Sequence, residues 1–260
     1  MAYPLIILGA GASMDYLRAD DHIEHRNNDY SKYRAPLMNQ LFDDTRFHEV
    51  LSRHPEINSL ASDVMNAMSR SDANFEDYLT IARDNLANNN PAIYSQLLSL
   101  IFYLADLFSV ISEKFYYQRN HYKDLLHKID NYCDGQACFV NFNYDLLLEK
   151  SLNEHSAGKF NYSNLDSYIN LNIKIIKIHG ACNWRYSPQT VQYKETSAVK
   201  FFSNFSKDLI LVSNKDQVFP IADDITNVNF NAQYNEKLNS WIVKLPALAL
   251  PLKNKPSNYV

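Results

Sequence analysis

The chain has 260 residues, of which 46% are hydrophobic, and this is enough for one substantial core that carries a helical insertion. The net charge is −4 and no run of lysines and arginines exceeds two, which argues against nucleic acid as a direct ligand. Three cysteines are too few for a disulfide framework or a four-cysteine zinc site, so we expect a cytoplasmic protein with no bound metal. The first apolar run has no charged segment before it and no cleavage site after it, so no signal peptide is expected.

Short apolar runs rich in β-forming residues predict three strands, in residues 4–8, 137–140 and 173–178. A glycine lies close to one end of each run. The first run is continuously apolar, which is typical of a strand buried on both faces. A weaker fourth run covers residues 209–212.

Helices are predicted between the first and second strands, where apolar residues recur at three-and-four spacing. Four segments show this pattern: residues 37–42, 56–68, 75–86 and 93–117. The last of these is apolar enough to suggest a membrane span, but it contains Gln96 and Asp106, so we expect a buried helix.

This order of elements predicts an α/β fold, with a Rossmann-like, mostly parallel sheet and a helical insertion between the first and second strands. The core would comprise about residues 1–44 and 131–260, and the insertion about residues 45–130. Residues 244–260 are punctuated by prolines and offer no helix–strand unit to close a sheet. We therefore expect the chain to be the N-terminal part of a longer protein.

The first motif with chemical potential is the sequence LGAGAS, residues 8–13, where the first strand would pass into a helix. Two of the five glycines in the chain, Gly9 and Gly11, lie here. Backbone N–H groups at a helix start favour a phosphate, and glycine lets it approach closely. The alternative is a tight turn without a ligand. A dehydrogenase-type unit is not indicated, because the third glycine and the second strand with its acidic end are missing.

Polar motifs also follow the second and third predicted strands. Asn141, Asn143 and Asp145 come after the second, and His179 with Gly180 after the third. The carboxyl ends of parallel strands share one edge of a sheet, so all three motifs are expected to face one crevice. Each residue also has a structural interpretation: Asp145 as a helix cap, Asn143 as a turn residue and His179 as a satisfied structural histidine.

Two further residues of the third motif are interpreted as structural. Trp184 is expected in the core rather than as a stacking platform. Cys182 has no identifiable base beside it, so it is expected to be a small buried thiol.

Taken in order, these motifs resemble those of the sirtuin superfamily. The resemblance is closer to the SIR2-like domains of bacterial anti-phage defence proteins than to histone-deacylase sirtuins. The matching stretches, spread over nearly the whole chain, are LGAGAS (8–13), RAPLMNQLF (34–42), NFEDYL (74–79), NFNYD (141–145) and KIHGACNW (177–184). This chain departs from the family pattern in having Asn141 for threonine and Ala181 for serine, and in lacking both the four-cysteine zinc module and the late Gly-Tyr-Ser element.

The resemblance implies a role for each matching residue. The glycine motif would bind the pyrophosphate and adjacent ribose of NAD through Gly9, Ala10, Gly11, Ala12 and Ser13. Asn141, Asp145 and Gly180 would also contact the nucleotide, with Asp145 holding the nicotinamide carboxamide. Asn143 would position water or the ribose, and His179 would be the general base.

The function implied is hydrolysis of NAD⁺ to nicotinamide and ADP-ribose, which would deplete NAD in anti-phage defence. Such an activity would need restraint, so the resemblance also implies a homo-oligomer or an appended or partner sensor domain. Two alternatives stay open: a non-catalytic module that binds NAD or ADP-ribose, and a zinc-free deacylase. The sequence predicts neither a membrane nor a nucleic-acid partner.

Overall fold

A three-stranded parallel sheet carries the motifs predicted above. The computed structural model describes residues 3–17, 32–70, 75–86, 91–186, 218–220, 231–235 and 240–250. The sheet consists of β1 (Leu5–Leu8), β2 (Ala137–Asn141) and β3 (Ile173–Lys177), in the order β1-β2-β3. Parallel pairing puts Leu8 beside Asn141 and Asn141 beside Lys177. The fold therefore mixes helices with a parallel sheet, as an α/β fold does.

Among the described residues, one face of this sheet is buried and the other is exposed at β1, which corrects the expectation that the first strand is buried on both faces. Leu5 and Ile7 are 64% and 66% exposed, whereas Leu8 is buried. Successive side chains of a strand point to opposite faces, and the buried face continues through Phe139 and Ile175. Continuous apolarity thus predicted the strand but not its surroundings.

Every described element between β1 and β2 is helical. The α-helices of this region are α1 (Ala10–Met14), α2 (Asp44–Arg53), α3 (Asn58–Arg70), α4 (Phe75–Leu86), α5 (Pro91–Lys114) and α6 (His121–Cys133). Two more helices follow β2, namely α7 (Leu147–His155) and α8 (Leu165–Asn170). The predicted helix at residues 37–42 is a single 3-10 turn, Met38–Gln40, and a second such turn, Pro55–Ile57, precedes α3.

The central helix α5 is the apolar segment of the sequence, and it is packed inside the protein. Its buried residues include Leu100, Tyr103, Leu104, Leu107 and Ile111. Asp106 is held in this setting by Arg53 and His54 of the neighbouring chain segment. No helix in the described ranges is long and apolar enough to cross a membrane.

A second sheet, which the sequence did not predict, is antiparallel. Its strands are β4 (Gly180–Tyr186), β5 (Val218–Pro220), β6 (Asn231–Asn235) and β7 (Ser240–Leu248), in the order β5-β4-β7-β6. β7 includes the first residues of the proline-punctuated end, where no closing element was expected. The weak strand predicted at residues 209–212 lies outside the described residues.

Candidate functional site

The glycine motif forms the turn between β1 and α1. Gly9 precedes the helix, and its carbonyl accepts a hydrogen bond from the Ala12 N–H at 2.9 Å. Its φ of −117° is open to any residue, so the backbone does not require glycine there. A Cβ built on Gly9 or Gly11 would meet no heavy atom of the described residues within 4 Å. Packing within the part of the chain that the structure describes therefore explains neither glycine, and the space beside them is open to those residues.

Asn143 fastens the loop after β2 to this turn. Its Nδ2 donates to the Gly9 carbonyl at 2.9 Å and to Ser13 Oγ at 2.8 Å. Ser13 Oγ lies 3.1 Å from the hydroxyl of Tyr122, at the start of α6. Burial raises the pKa of Tyr122 well above its ordinary value, so this phenol stays neutral. Since a carbonyl can only accept, the bond to Gly9 fixes which way the Asn143 amide faces.

Asn141 and Asp145 shape the same loop from within. The Oδ1 of Asn141 accepts the main-chain N–H of Asn143 at 2.9 Å, and Asp145 Oδ1 accepts that of Leu147, the first residue of α7, at 3.1 Å. Both side chains are buried. The expectation that Asp145 is the N-cap of α7 is wrong, because the N-cap is Leu146, which makes no side-chain capping bond. Asp145, one residue earlier, still takes up an otherwise unpaired donor at the start of the helix.

A buried ion pair lies beneath this loop. The ammonium of Lys177 donates to the Asp145 carbonyl at 2.7 Å and lies 2.9 Å from Glu149 Oε1. The side chains of Lys177 and Glu149 are fully buried. Burial raises the pKa of Glu149, while the positive charge of Lys177 acts in the opposite direction. The last residue of β3 thereby supports the backbone next to the predicted binding residues.

His179 lies in the connection between β3 and β4, among aromatic rings. Its ring centroid is 5.3 Å from that of Phe142 and 6.0 Å from that of Tyr144. The hydroxyl of Tyr144 donates to the Ala249 carbonyl at 2.6 Å, which holds this ring in place. Burial raises the pKa of Tyr144, and the negative charge of Glu76 adds to the effect, so Glu76 also acts on this region.

These elements enclose a cavity of about 180 Å³. Pockets that hold whole drug-sized ligands are roughly 300 to 1,000 Å³, so this one would admit one end of a dinucleotide. Its lining residues are Ala10, Ser13, Ala35, Pro36, Met38, Leu41, Glu76, Phe108, Phe142, Asn143, Tyr144, Asp145 and His179.

The cavity thus brings together five predicted site residues from three segments of the chain: Ala10, Ser13, Asn143, Asp145 and His179. The other five predicted residues are not in its lining. Of these, Gly9, Gly11 and Ala12 belong to the adjoining turn, and Asn141 is buried behind the loop.

Gly180 has a structural explanation. Its φ is +78°, which favours glycine, and a Cβ there would lie 1.9 Å from the Ala247 carbonyl oxygen. The close approach of β4 and β7 therefore accounts for this glycine without a ligand.

Of the two residues interpreted as structural, Cys182 lies in the interior and Trp184 packs against the core. Cys182 is fully buried, and burial raises the pKa of its thiol. Trp184 is half-buried, and its ring lies 5.4 Å from that of Tyr168 in an edge-to-face contact.

Several residues of the site were not identified from the sequence. Glu76 lies in the stretch NFEDYL that was matched to the family, but no role was assigned to it. Tyr122 was missed because helix α6 was not predicted. Phe142 and Tyr144 lie within NFNYD, and their aromatic character beside Asn143 was the available signal.

Comparisons of the chain with protein-family models, with curated proteins and with solved structures gave no match. The assignment of function therefore depends on the motifs and on the geometry of the cavity.

Proposed function

We propose that the protein is a SIR2-like NAD⁺ glycohydrolase with a Rossmann-like core. The reaction breaks the bond between the nicotinamide nitrogen and the ribose C1′, and the bonding electrons leave with neutral nicotinamide. A water oxygen bonds to C1′ and loses a proton, which gives ADP-ribose. In a cell this activity would deplete NAD, and its restraint by oligomerisation or by a sensor domain is part of the proposal.

The observation that carries the proposal is the open space beside Gly9 and Gly11 together with the Asn143 bond to Gly9. Glycines with no conformational or packing requirement leave room for a group from outside the protein. A pyrophosphate at the start of α1 would receive backbone N–H donors there. Asn143 ties this turn to the cavity, so a dinucleotide with its phosphates on the turn would extend toward Asn143 and His179.

The cavity is suited to the nicotinamide end of the substrate. Phe108, Phe142 and Tyr144 present aromatic surface. The polar side chains of the lining are those of Ser13, Glu76, Asn143, Asp145 and His179. A carboxylate oxygen accepts an N–H of a carboxamide, which is the role proposed for the Oδ2 of Asp145, since its Oδ1 already accepts the Leu147 N–H. Apolar surroundings with a few oriented polar groups are typical of small-molecule sites.

His179 is the proposed general base. It lines the same cavity as Asn143, which would place the attacking water by hydrogen bonding. Transfer of the water proton to a positioned histidine contributes typically about 10² to 10⁴ in rate. The rings of Phe142 and Tyr144 pack against the imidazole of His179 beside the cavity.

The test is incubation of the protein with NAD⁺ and chromatography of the products. We expect equal amounts of nicotinamide and ADP-ribose from the wild type. The rate of His179→Ala should be lower by a factor of at least about 10². The matched control is His121→Ala, because the His121 side chain is 54% exposed and lies outside the cavity lining. Full turnover by His179→Ala would remove the assignment of the base.

The packing of His179 against two rings also favours a second candidate, a module that binds NAD⁺ or ADP-ribose without cleaving it. In such a module, His179 would contribute packing to the wall of the binding cavity and would not transfer a proton. Calorimetric binding of NAD⁺ with no nicotinamide released by the full-length protein would identify this function.

A further inference from the structure

A cluster of three metal-ligating side chains lies away from the cavity, between helices α6 and α7. His127 and Asp130 are three residues apart on α6, which puts them on one face of the helix. His155 is the last residue of α7. One ligand atom from each of the three lies within 4.8 Å of the others.

Two contacts already order this cluster. His155 Nε2 is 2.8 Å from Asp130 Oδ2, and the rings of His127 and His155 meet edge to face with centroids 4.9 Å apart. The His155 side chain is only 12% exposed, whereas that of Asp130 is 47% exposed. One ligand is thus held firmly and another can adjust from the solvent side.

We propose that His127, Asp130 and His155 bind a divalent transition-metal cation of the zinc class. Two imidazoles and one carboxylate are a donor set that Zn²⁺ uses, at about 2.0 to 2.2 Å per ligand, with the fourth tetrahedral position open. Ligand atoms of a tetrahedral site lie roughly 3.4 Å apart at those bond lengths. The present separations, from 2.8 Å to at most 4.8 Å, therefore need adjustments of up to about 1.4 Å, which the exposed His127 and Asp130 make by small rotations.

The place of this cluster gives the cation a structural consequence. The start of α6 is linked to α7 by the hydrogen bond from Ser151 to Asn120 and by the ion pair of Lys123 with Glu154. The cation would add a third link further along α6, beside Glu154 at the end of α7. The N-terminal ends of the two helices adjoin Ser13 and Asp145, so the cation would stiffen the elements that support the cavity.

The sequence did not indicate this site, and its expectation of no metal was drawn from the cysteines. A histidine and an aspartate three residues apart on a helix are common without a metal. The third ligand comes from another helix, so only the fold brings the set together.

The experiment titrates the complete chain, freed of metal with a chelator, with ZnCl₂ in a calorimeter and with CoCl₂ in a spectrophotometer. We expect one equivalent to bind at this site, ligand-field bands typical of four-coordinate Co²⁺, and a rise in the melting temperature. The double variant His127→Gln/His155→Gln should lose that equivalent, with affinity at the site lowered at least about tenfold.

The chain has eight histidines, so bound Zn²⁺ alone does not identify the site. The measurement is therefore the difference in bound Zn²⁺ between the double variant and the wild type. The matched control is His48→Gln, which removes a histidine paired with one carboxylate, Asp44, at 3.0 Å. We expect this variant to bind as the wild type does. The proposal is overturned if the wild type binds no equivalent, or if the double variant, folded by circular dichroism, binds Zn²⁺ as the wild type does.

Discussion

The side-chain amide of Asn143 donates to the main-chain carbonyl of Gly9 at 2.9 Å, although the two residues are 134 positions apart in the chain. This bond joins the ends of two adjacent parallel strands, because Leu8 and Asn141 are partners in the sheet. The turn that would hold phosphate and the loop that would hold water are therefore one connected unit.

Replacement of Asn143 should affect both activity and stability. Asn143→Ala leaves the Gly9 carbonyl and Ser13 Oγ without this donor, so we expect the free energy of unfolding to fall by about 1 to 2 kcal/mol. NAD⁺ cleavage should fall at least about 10²-fold. Denaturant titration and product chromatography measure the two effects. Asn170→Ala, at an exposed position at the end of α8, should change neither. Wild-type turnover by Asn143→Ala would contradict the proposed role.

A methyl group at Gly11 should separate binding from folding. It would enter open space, and alanine is favoured over glycine in a helix, so we expect Gly11→Ala to be unchanged in stability or more stable by up to about 1 kcal/mol. The affinity for NAD⁺ should fall about tenfold or more, because the methyl occupies the place proposed for pyrophosphate. Calorimetry measures the affinity and thermal denaturation the stability.

Gly180→Ala is the opposing control, because there the methyl would overlap the Ala247 carbonyl at a φ of +78°. We expect this variant to lose at least about 2 kcal/mol. If Gly11→Ala instead destabilises the protein and binds NAD⁺ normally, the open space has no role in binding.

Removal of the buried ammonium should destabilise the loop next to the cavity. Lys177→Met leaves Glu149 buried without its partner, and we expect a loss of about 3 to 5 kcal/mol in the free energy of unfolding at neutral pH. The double variant Lys177→Met/Glu149→Leu should recover much of this loss, because neither charge then remains buried. Equal stabilities of the single and double variants would show that the pair does not couple.

The stability of Lys177→Met should depend on pH in a defined direction. Burial raises the pKa of Glu149 above its ordinary value of 4.5, and loss of Lys177 removes an influence that lowers it. A carboxyl group with a raised pKa contributes stability below pH 4.5 that is lost as pH rises through its value in the folded protein. Lys177→Met should therefore be closest to the wild type in acid, as measured by denaturant titration across the pH range.

Asp106 should be the most sensitive polar position of helix α5. Its carboxylate accepts hydrogen bonds from Arg53 Nε at 2.9 Å and Arg53 Nη2 at 3.0 Å, and it lies 2.9 Å from His54 Nε2. Only 12% of its side chain is exposed. Asp106→Asn should cost about 3 kcal/mol, because Arg53 and His54 lose their largely buried carboxylate partner. The exposed Asp44→Asn, which also loses a histidine partner, should cost less than about 1 kcal/mol.

The pH dependence at Asp106 has the opposite sign to that at Glu149. Burial alone would raise its pKa, but the hydrogen bonds and charges of His54 and Arg53 outweigh burial and lower it. Its stabilising effect is therefore present above the ordinary value of 3.8 and is lost as pH falls through the lower value in the folded protein. The difference in stability between the wild type and Asp106→Asn should shrink in that acid range.

The strands of the parallel sheet and helix α4 could be predicted from the sequence because their signals are local. Residues 137–140 and 173–178 are short apolar runs beside glycine, and both became strands within one residue of the prediction. Helix α4 occupies the predicted residues 75–86. In each case the apolar pattern reflects a face that the fold buries.

Helices α2 and α6 were missed although their sequences carry usable signals. Each buries only three side chains, and α6 does so at Tyr122, Leu126 and Ile129, which is helical spacing. Asn120 caps α6 by accepting the Lys123 N–H at 2.9 Å, and Asp43 caps α2 in the same manner. Capping residues would have compensated for the weak apolar pattern.

The antiparallel sheet and the metal-ligating cluster were beyond reach for a different reason. β4 pairs with β7 across more than fifty residues, and Pro246 within β7 argues locally against a strand. His155 meets Asp130 only because two helices pack together. Such pairings depend on tertiary contacts that leave no periodic trace in the sequence.

The separation of Gly9 from Asn143 also bears on synthesis by the ribosome. β1 and its turn are made first, but the strand and loop that complete them emerge about 130 residues later, roughly 10 s at ordinary elongation rates. During that interval Leu5 and Ile7 have no partner strand, and the helices of residues 44–133 must find their own packing. A nascent chain arrested before residue 137 would thus contain the glycine turn but no competent cavity.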